Sequence, residues 1–558
     1  MKKFYTGIKF AALLFGLLIL TSCSFRNPPA QSDLVPEPEK LDTRVQSNIQ
    51  SILSFALDQE GRITDSSSLN RPDLLDSLYE ARDYSPLWSA EGKWTRAGDS
   101  LYSSILNSKE YGLFPADYHR KPLSGIRFLL LKDSAIQYDA AVWARADLLL
   151  TDAFYRLAND IRFGRLRFDT LIVRKDTIQD HFYNQLFLEL QETGRISELL
   201  AKLEPANIQY RSLKQGLKQF LDSVIFTRYT YLPYPINDSA SFLRLLKHRL
   251  FELDLLPSAS TPVDSIDLAS AIKKFQSANK LKATGIYNEA TAYRMNFTEW
   301  EKFKQIAITM DKTKWLPDTI PATYLWVNIP SYLMQVVESD TIRFRSRIIV
   351  GTAKTRTPEL SSEITNFITF PQWTVPYSIV FGEMLPKIQK DLKYLDKQDL
   401  MVVDRNDNVI DPASIDWSKL NKNKFPYQLK QRQGDNNSLG ILKFNFKNKY
   451  SVYLHDTNSR WLFQKSERAL SHGCVRVQQW KDLAKFLIRN DTLKIPADTL
   501  NQYLARQEKR TVTGFQKLPL YIRYYTCESV NGRIRFYDDI YAEDKYLREK
   551  YFSDKSIN

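Results

Sequence analysis

His455 is followed, after the fifteen residues 456–470, by the run Ser471-His472-Gly473-Cys474-Val475-Arg476. A thiol, a histidine upstream of it and a glycine beside it are the parts that nucleophilic acyl transfer needs. A cysteine at its ordinary pKa is only a few per cent thiolate at neutral pH. A neighbouring histidine can take the proton or hold an ion pair with the sulfur. Gly473 permits a tight turn that residues with a Cβ resist. Such a turn presents the sulfur and leaves backbone N–H groups free for a tetrahedral oxyanion, often worth about 3 kcal/mol per donor. These residues make Cys474 a candidate nucleophile and His455 a candidate acceptor of its proton.

Other uses of the same residues stay open. The chain has three cysteines, Cys23, Cys474 and Cys527. Secreted proteins usually pair their cysteines, so a Cys474–Cys527 disulfide is the plain alternative. A thiol kept free in an oxidising compartment is instead a candidate nucleophile. His455, His472 and Cys474 could also ligate zinc, but no Cys-x-x-Cys pair or His-Glu-x-x-His helix accompanies them. We expect no metal and no cofactor. Gly-rich phosphate-binding motifs with a lysine are absent.

The elements that must hold these residues begin behind an export signal. Met1-Lys2-Lys3 is followed by the apolar run Ile8 to Leu20 and then by Leu20-Thr21-Ser22-Cys23. A charged start, a short apolar stretch and small residues at its end describe a secretory signal. The run is shorter than the ~20 apolar residues that span a bilayer. Its end resembles a bacterial lipobox, with Cys23 as the lipidated residue. An uncleaved anchor with an incidental cysteine is the alternative. We expect a signal over 1–23 and a Pro- and Ser-rich tether over 24–40.

The 558 residues, 43% hydrophobic and 25% charged, suffice for several globular domains with sizeable cores. The net charge of +14 suits an anionic partner, whether membrane headgroups or cell-wall polymer, or is simply a solvated basic surface. No arginine-rich tract or zinc-finger spacing favours nucleic acid. The pattern over 41–235 is helical, with Ala140 to Leu157 the clearest helix, and Pro233-Tyr234-Pro235 breaks it. Residues 236–300 predict a three-helix module whose third helix starts at Asn288. The region 301–500 is rich in short strands, among them Tyr324–Ile329, Tyr332–Val337, Phe344–Val350, Ile364–Phe370, Leu439–Phe446 and Tyr450–Leu454. That predicts a sandwich or partial barrel. An insert over about 377–433, helical from Met384 to Leu395 and polar afterwards, reads either as a lid or as a surface excursion. Residues 501–558 read as a C-terminal extension packing on the scaffold or catalytic domain.

His455 with Ser471-His472-Gly473-Cys474 resembles the signature of the L,D-transpeptidase family. The likeness extends to Lys314-Trp315-Leu316-Pro317, Pro371-Gln372-Trp373-Thr374-Val375-Pro376, Lys443-Phe444, Tyr453-Leu454-His455-Asp456-Thr457 and Phe536-Tyr537-Asp538-Asp539-Ile540-Tyr541. The pattern Phe275-Gln276…Thr284-Gly285-Ile286…Thr291 likewise resembles a small peptidoglycan-binding module, or serves a plain helical spacer. The resemblance implies a multidomain α+β chain: a helical scaffold, that module, and a mostly-β catalytic domain with an inserted lid. It implies a thioester on Cys474, formed on tetrapeptide stems and passed to another stem as a 3→3 cross-link. Donor and acceptor stem peptides would then be the partners, and carbapenems would trap the thiol. Water as acceptor would give an L,D-carboxypeptidase, and a lipoprotein amine would give wall-protein attachment. A peptidoglycan-binding structural lipoprotein is the non-enzyme alternative. The resemblance implies Cys474 as nucleophile and His455 as general base, His472 and Gly473 shaping the pocket and oxyanion region, and Ser471 in the same motif bonding locally; in it a carbonyl beside the base orients the imidazole, which points to the Asp456 backbone. Arg476 could bind a substrate carboxylate or stabilise the thiolate, or make a structural salt bridge. Trp373, Tyr453 and Arg468 are further pocket candidates; core packing for the aromatics and solvation for Arg468 are the alternatives. The expected location is the cell envelope, as a periplasm-facing lipoprotein held to a membrane by its lipid.

Overall fold

The computed structural model describes residues 28–166, 180–260, 263–490, 496 and 498–553. The signal-like residues 1–23, with Cys23, lie outside them. Among the described residues no helix is long and apolar enough to cross a membrane. The chain is a multidomain α+β protein whose described residues divide into two compact units, one within Met1–Ile105, Asp117–Arg156 and Gln179–Ser197, the other within Leu106–Ala116, Leu157–Ile178 and Glu198–Asn558.

The first unit is helical. In α1 (Leu41–Asp58), Leu41, Val45, Ile49, Ile52, Leu53 and Ala56 repeat at helical spacing and are all buried. The predicted helix from Ala140 forms α2 (Ala140–Arg162). The tether is shorter than expected. The Asp139 carboxylate accepts from Ser32 Oγ at 2.5 Å and from Asp33 N at 3.0 Å, and Arg145 donates to the carbonyls of Ala30 and Gln31. Residues 30–33 are therefore docked rather than free.

The second unit starts before the predicted boundary at 235. Helix α3 (Ile208–Ser223) shares an apolar core with Phe303, Ile306 and Cys527 through Tyr210, Leu213 and Leu217. The module follows as three helices, α4 (Ser239–Glu252), α5 (Ser265–Ala278) and α6 (Glu289–Asn296). Asp238, Asp264 and Asn288 cap their N-termini with side-chain oxygens. Gln276 is buried and bonds Gly285 N, Ile286 O and Thr291 Oγ1, so the residues that suggested the module clamp its own turn. Helix α7 (Glu299–Thr313) is buried from Phe303 to Thr313.

The β-rich domain is built on β1 (Thr323–Asn328), β2 (Leu333–Glu338), β3 (Thr341–Gly351) and β4 (Leu360–Thr369). The insert contributes β5 (Trp373–Thr374), β6 (Leu400–Val403), β7 (Val409–Ile410) and β8 (Gln428–Gln431). The chain then forms β9 (Leu442–Phe446), β10 (Leu454–His455), β11 (Ala469–Ser471), β12 (Val475–Val477) and helix α8 (Trp480–Ile488). It continues with β13 (Arg510–Val512), β14 (Leu518–Arg523), the hairpin β15 (Cys527–Val530) and β16 (Arg533–Phe536), and helix α9 (Glu543–Tyr551).

The main sheet runs β9-β10-β12-β3-β2-β1-β14-β4, and pairing of β9 with β4 closes it into a ring. The expected partial barrel is thus a closed one. Its closure corrects the boundary at 500: β14 lies between β1 and β4, so residues beyond 500 supply a central strand. Leu325, Val336, Phe367, Phe444, Leu454 and Val475 fill the interior, and α8 covers it with Leu483 and Leu487. The insert is a folded unit rather than a loose loop. It folds on its own sheet, β7-β6-β8-β5, around Ile379, Leu385, Val402, Trp417 and Leu429. Its predicted helix is broken: Leu385–Lys390 ends at Asp391, and Tyr394–Lys397 begins again.

Candidate active site

Strand alternation sets the site. In β9, β10 and β12, Leu442, Phe444, Leu454, Val475 and Val477 point into the barrel core. The alternate residues therefore share the other face. Register places Lys443 opposite His455, and His455 opposite Arg476. Three residues so paired form one cross-strand row, with neighbouring Cβ atoms about 5 Å apart. One pleat earlier, Val475 N donates to Tyr453 O at 3.1 Å, which sets Cys474 beside Tyr453. Cys474 is thus the diagonal neighbour of His455, within reach of long or aromatic side chains.

The turn before Cys474 is tightly held. Gly473 has φ +114°, a conformation that L side chains rarely adopt. Ser471 Oγ donates to Cys474 O at 2.6 Å and accepts from Gly473 N at 3.1 Å. Ser471 therefore bonds locally, and the Gly473 N–H is already engaged. Thr357 Oγ1 donates to Gly473 O at 2.8 Å. Thr357 N in turn donates to Tyr541 Oη at 3.1 Å, and Tyr541 Oη donates to Gly351 O at 2.7 Å. Tyr541 thereby braces the turn before Cys474 through Thr357.

The electrostatics favour a neutral resting pair. Burial holds His455 down to about 3, helped by the positive charges of Arg476 and Lys443, while the backbone of Asp456 and of Leu439 pulls it upward. Its Nδ1 makes no hydrogen bond of normal geometry. Burial raises the Cys474 thiol, and Tyr453, Lys443 and Arg476 pull it back. Lys443 Nζ lies 4.0 Å from the Tyr453 ring centroid, and the Tyr453 and His455 rings meet edge-on at 5.6 Å. Burial lowers both Lys443 and Arg476. Among the described residues neither has a carboxylate partner. Among the described residues Arg476 reaches Thr457 Oγ1, at 3.4 Å, and no carboxylate.

The remaining candidates separate. Tyr453 lies against Cys474, Lys443 and His455. Trp373, on β5 at the base of the insert, faces the Tyr453 hydroxyl. Arg468 is half-buried and bonded to backbone. It donates to the carbonyls of Ile348, Lys465 and Tyr332 at 3.1, 2.6 and 3.2 Å, and so staples the chain before the motif. His472 points its Nε2 at Glu383 of the insert. The Asp456 side chain is turned away to Arg460 and Ile441 N. A Cβ on Gly440 would sit 2.3 Å from Asp456 Oδ2, so glycine is required there. Cys474 and Cys527 are both free thiols, so the disulfide does not form. Sequence reasoning missed Lys443 as a site residue, and also Thr357, Tyr541 and Glu383. For Lys443 a signal existed: it alternates with the apolar Leu442 and Phe444 on a strand paired with that of His455.

Residues 322–495 match the L,D-transpeptidase catalytic domain, 73–217 match a scaffold domain, and 239–295 match a domain described as "Putative peptidoglycan binding domain". A protein of Haemophilus influenzae named "Putative L,D-transpeptidase" is 35% identical over 248 residues, which are 44% of this chain and 49% of that protein. The chain thus spans about half the length of the curated relative it matches. The chain thus contains an L,D-transpeptidase catalytic domain, together with the scaffold and peptidoglycan-binding matches.

Proposed function

We propose that the protein forms 3→3 peptidoglycan cross-links through a thioester on Cys474. The observation that carries this reading is the cross-strand row Lys443–His455–Arg476 with Cys474 diagonal to its centre. It joins a thiol, a neutral base and two cations without carboxylate partners. Stem peptides carry carboxylates, which suit those cations.

Cys474 Sγ attacks the carbonyl of the third stem residue while its proton passes to His455. Because burial favours the uncharged forms of both groups, the transfer accompanies attack, as general-base catalysis. The Cys474 N–H is the candidate oxyanion donor, since the Gly473 N–H is engaged by Ser471. The C–N bond to the terminal D-alanine breaks, and its amine leaves with the proton from His455. A side-chain amine of a second stem then attacks the thioester. It gives its proton to His455, which returns it to the departing sulfur. Lipid on Cys23 would hold the enzyme in the cell envelope, beside this substrate.

Mass spectrometry of products from purified tetrapeptide-bearing muropeptides tests the reading. Dimers with 3→3 links support it. Tripeptides without dimers would make the protein an L,D-carboxypeptidase, and unchanged substrate would leave it a wall-binding protein.

A further inference from the structure

We propose that the cleft between residues 226–234, helix α6 and helix α9 binds the glycan strand of the wall polymer, with N-acetylated hexosamine rings stacked on its tyrosines. The proposal rests on the peptidoglycan reading above and adds a contact with the same polymer away from Cys474.

The cleft has a volume of about 530 Å³, within the roughly 300–1,000 Å³ range of ligand sites. Its walls expose aromatic rings: Tyr231 is 70% exposed, Tyr234 47% and Tyr293 38%. Tyr293 and Phe297, one helical turn apart, stack at 5.7 Å and 13°, and Phe536 braces Phe297 edge-on. This makes a flat, supported platform. The facing segment is fixed as well. The Asn296 side chain accepts from Leu232 N at 3.0 Å and donates to Leu232 O at 2.8 Å, as a neighbouring strand would. Leu232 is buried in the module core, and Tyr231 beside it is left outward.

The chemistry of the lining selects among ligands. Glu289, Glu301 and Glu549 offset all but one charge of Arg228, Lys304, Lys545 and Arg548, so no strong field of one sign draws a polyanion or an acidic membrane. A sugar ring offers a flat C–H face to an aromatic ring and hydroxyl and amide groups to a mixed polar rim. Helix α6, which supplies Ala292, Tyr293 and Asn296, closes the segment matching the peptidoglycan-binding domain.

The test is calorimetric titration of the full chain carrying Cys474→Ala with a peptide-free β-1,4-linked N-acetylglucosamine tetramer, and separately with a soluble stem tetrapeptide. The tetramer should bind. Tyr231→Ala and Tyr293→Ala should each weaken it about threefold to tenfold, the usual worth of an aromatic contact, while Tyr231→Phe retains it. With Cys474 intact, Tyr231→Ala should leave acylation by the tetrapeptide unchanged. No heat with the tetramer, or affinity untouched by both alanine variants, overturns the proposal. So does loss of tetrapeptide binding in their place. Glycan binding without acylation of Cys474 would remove the proposed function alone; acylation without glycan binding would remove the cleft alone.

Discussion

Nε2 of His472 lies 2.6 Å from Oε1 of Glu383, so the motif beside Cys474 is tied directly to the insert. Both side chains are nearly half exposed, at 46% and 47%, which limits the pair to under about 1 kcal/mol. Glu383→Gln should therefore speed amide exchange across Val380–Lys390 by no more than about fivefold and leave the barrel strands unchanged. Exchange equal to that of the parent would mean that the contact does not hold the insert.

Lys443 and Arg476 face Cys474 without carboxylate partners among the described residues. Charge-assisted hydrogen bonds contribute roughly 1.5–3 kcal/mol. Lys443→Met should then lower kcat/KM for a tetrapeptide stem by about tenfold to a hundredfold, mainly through KM. Steady-state kinetics against the same stem with its carboxylates amidated checks the cause: the penalty should shrink with that substrate. An equal penalty on both substrates would remove Lys443 as a carboxylate receptor.

The motif itself was legible because its parts are near neighbours in sequence and its glycine has a conformational reason, realised at φ +114°. The helices of the module were legible from apolar spacing and from caps such as Asn288. What was hidden depends on contacts between distant residues. Lys443 joins the site only through strand register with His455. Tyr541 reaches Gly351 across 190 positions. Strand β14 looked like part of an extension because nothing local marks it as the partner of both β1 and β4. Arg468 looked available because three carbonyl acceptors leave no trace in composition. The polar insert concealed its core because Trp417, Leu400 and Leu429 are scattered among charged residues.

Tyr541→Phe should show how far the C-terminal extension positions the catalytic turn. It strips a buried donor from Gly351 O and a buried acceptor from Thr357 N. Stranding such groups costs roughly 1–3 kcal/mol, and the unfolding midpoint should fall by roughly 5 °C. Because Thr357 also holds Gly473 O, kcat should fall about tenfold with KM nearly constant. Lowered stability with normal kcat would assign Tyr541 to packing alone.

The pH dependence follows from a base held at about 3 and a thiol raised above its ordinary value. A depressed histidine pKa keeps the proton-accepting form present throughout the range above about pH 4. Acylation rates, followed by intact mass between pH 5 and 8, should show no loss centred near 6.5. Removing the charge in Arg476→Met should raise the His455 pKa and move the acid limb upward. A wild-type limb near 6.5 would contradict the neutral pair.

The central claim is a covalent bond to one sulfur, and intact-mass spectrometry after mixing with a tetrapeptide stem reads it directly. The chain should gain the mass of the stem less its terminal alanine, on a peptide containing Cys474, and Cys474→Ala should gain nothing. His455→Ala should form the same adduct far more slowly. An adduct that persists in Cys474→Ala, or products released by wild type when no thioester can be trapped, would contradict the account.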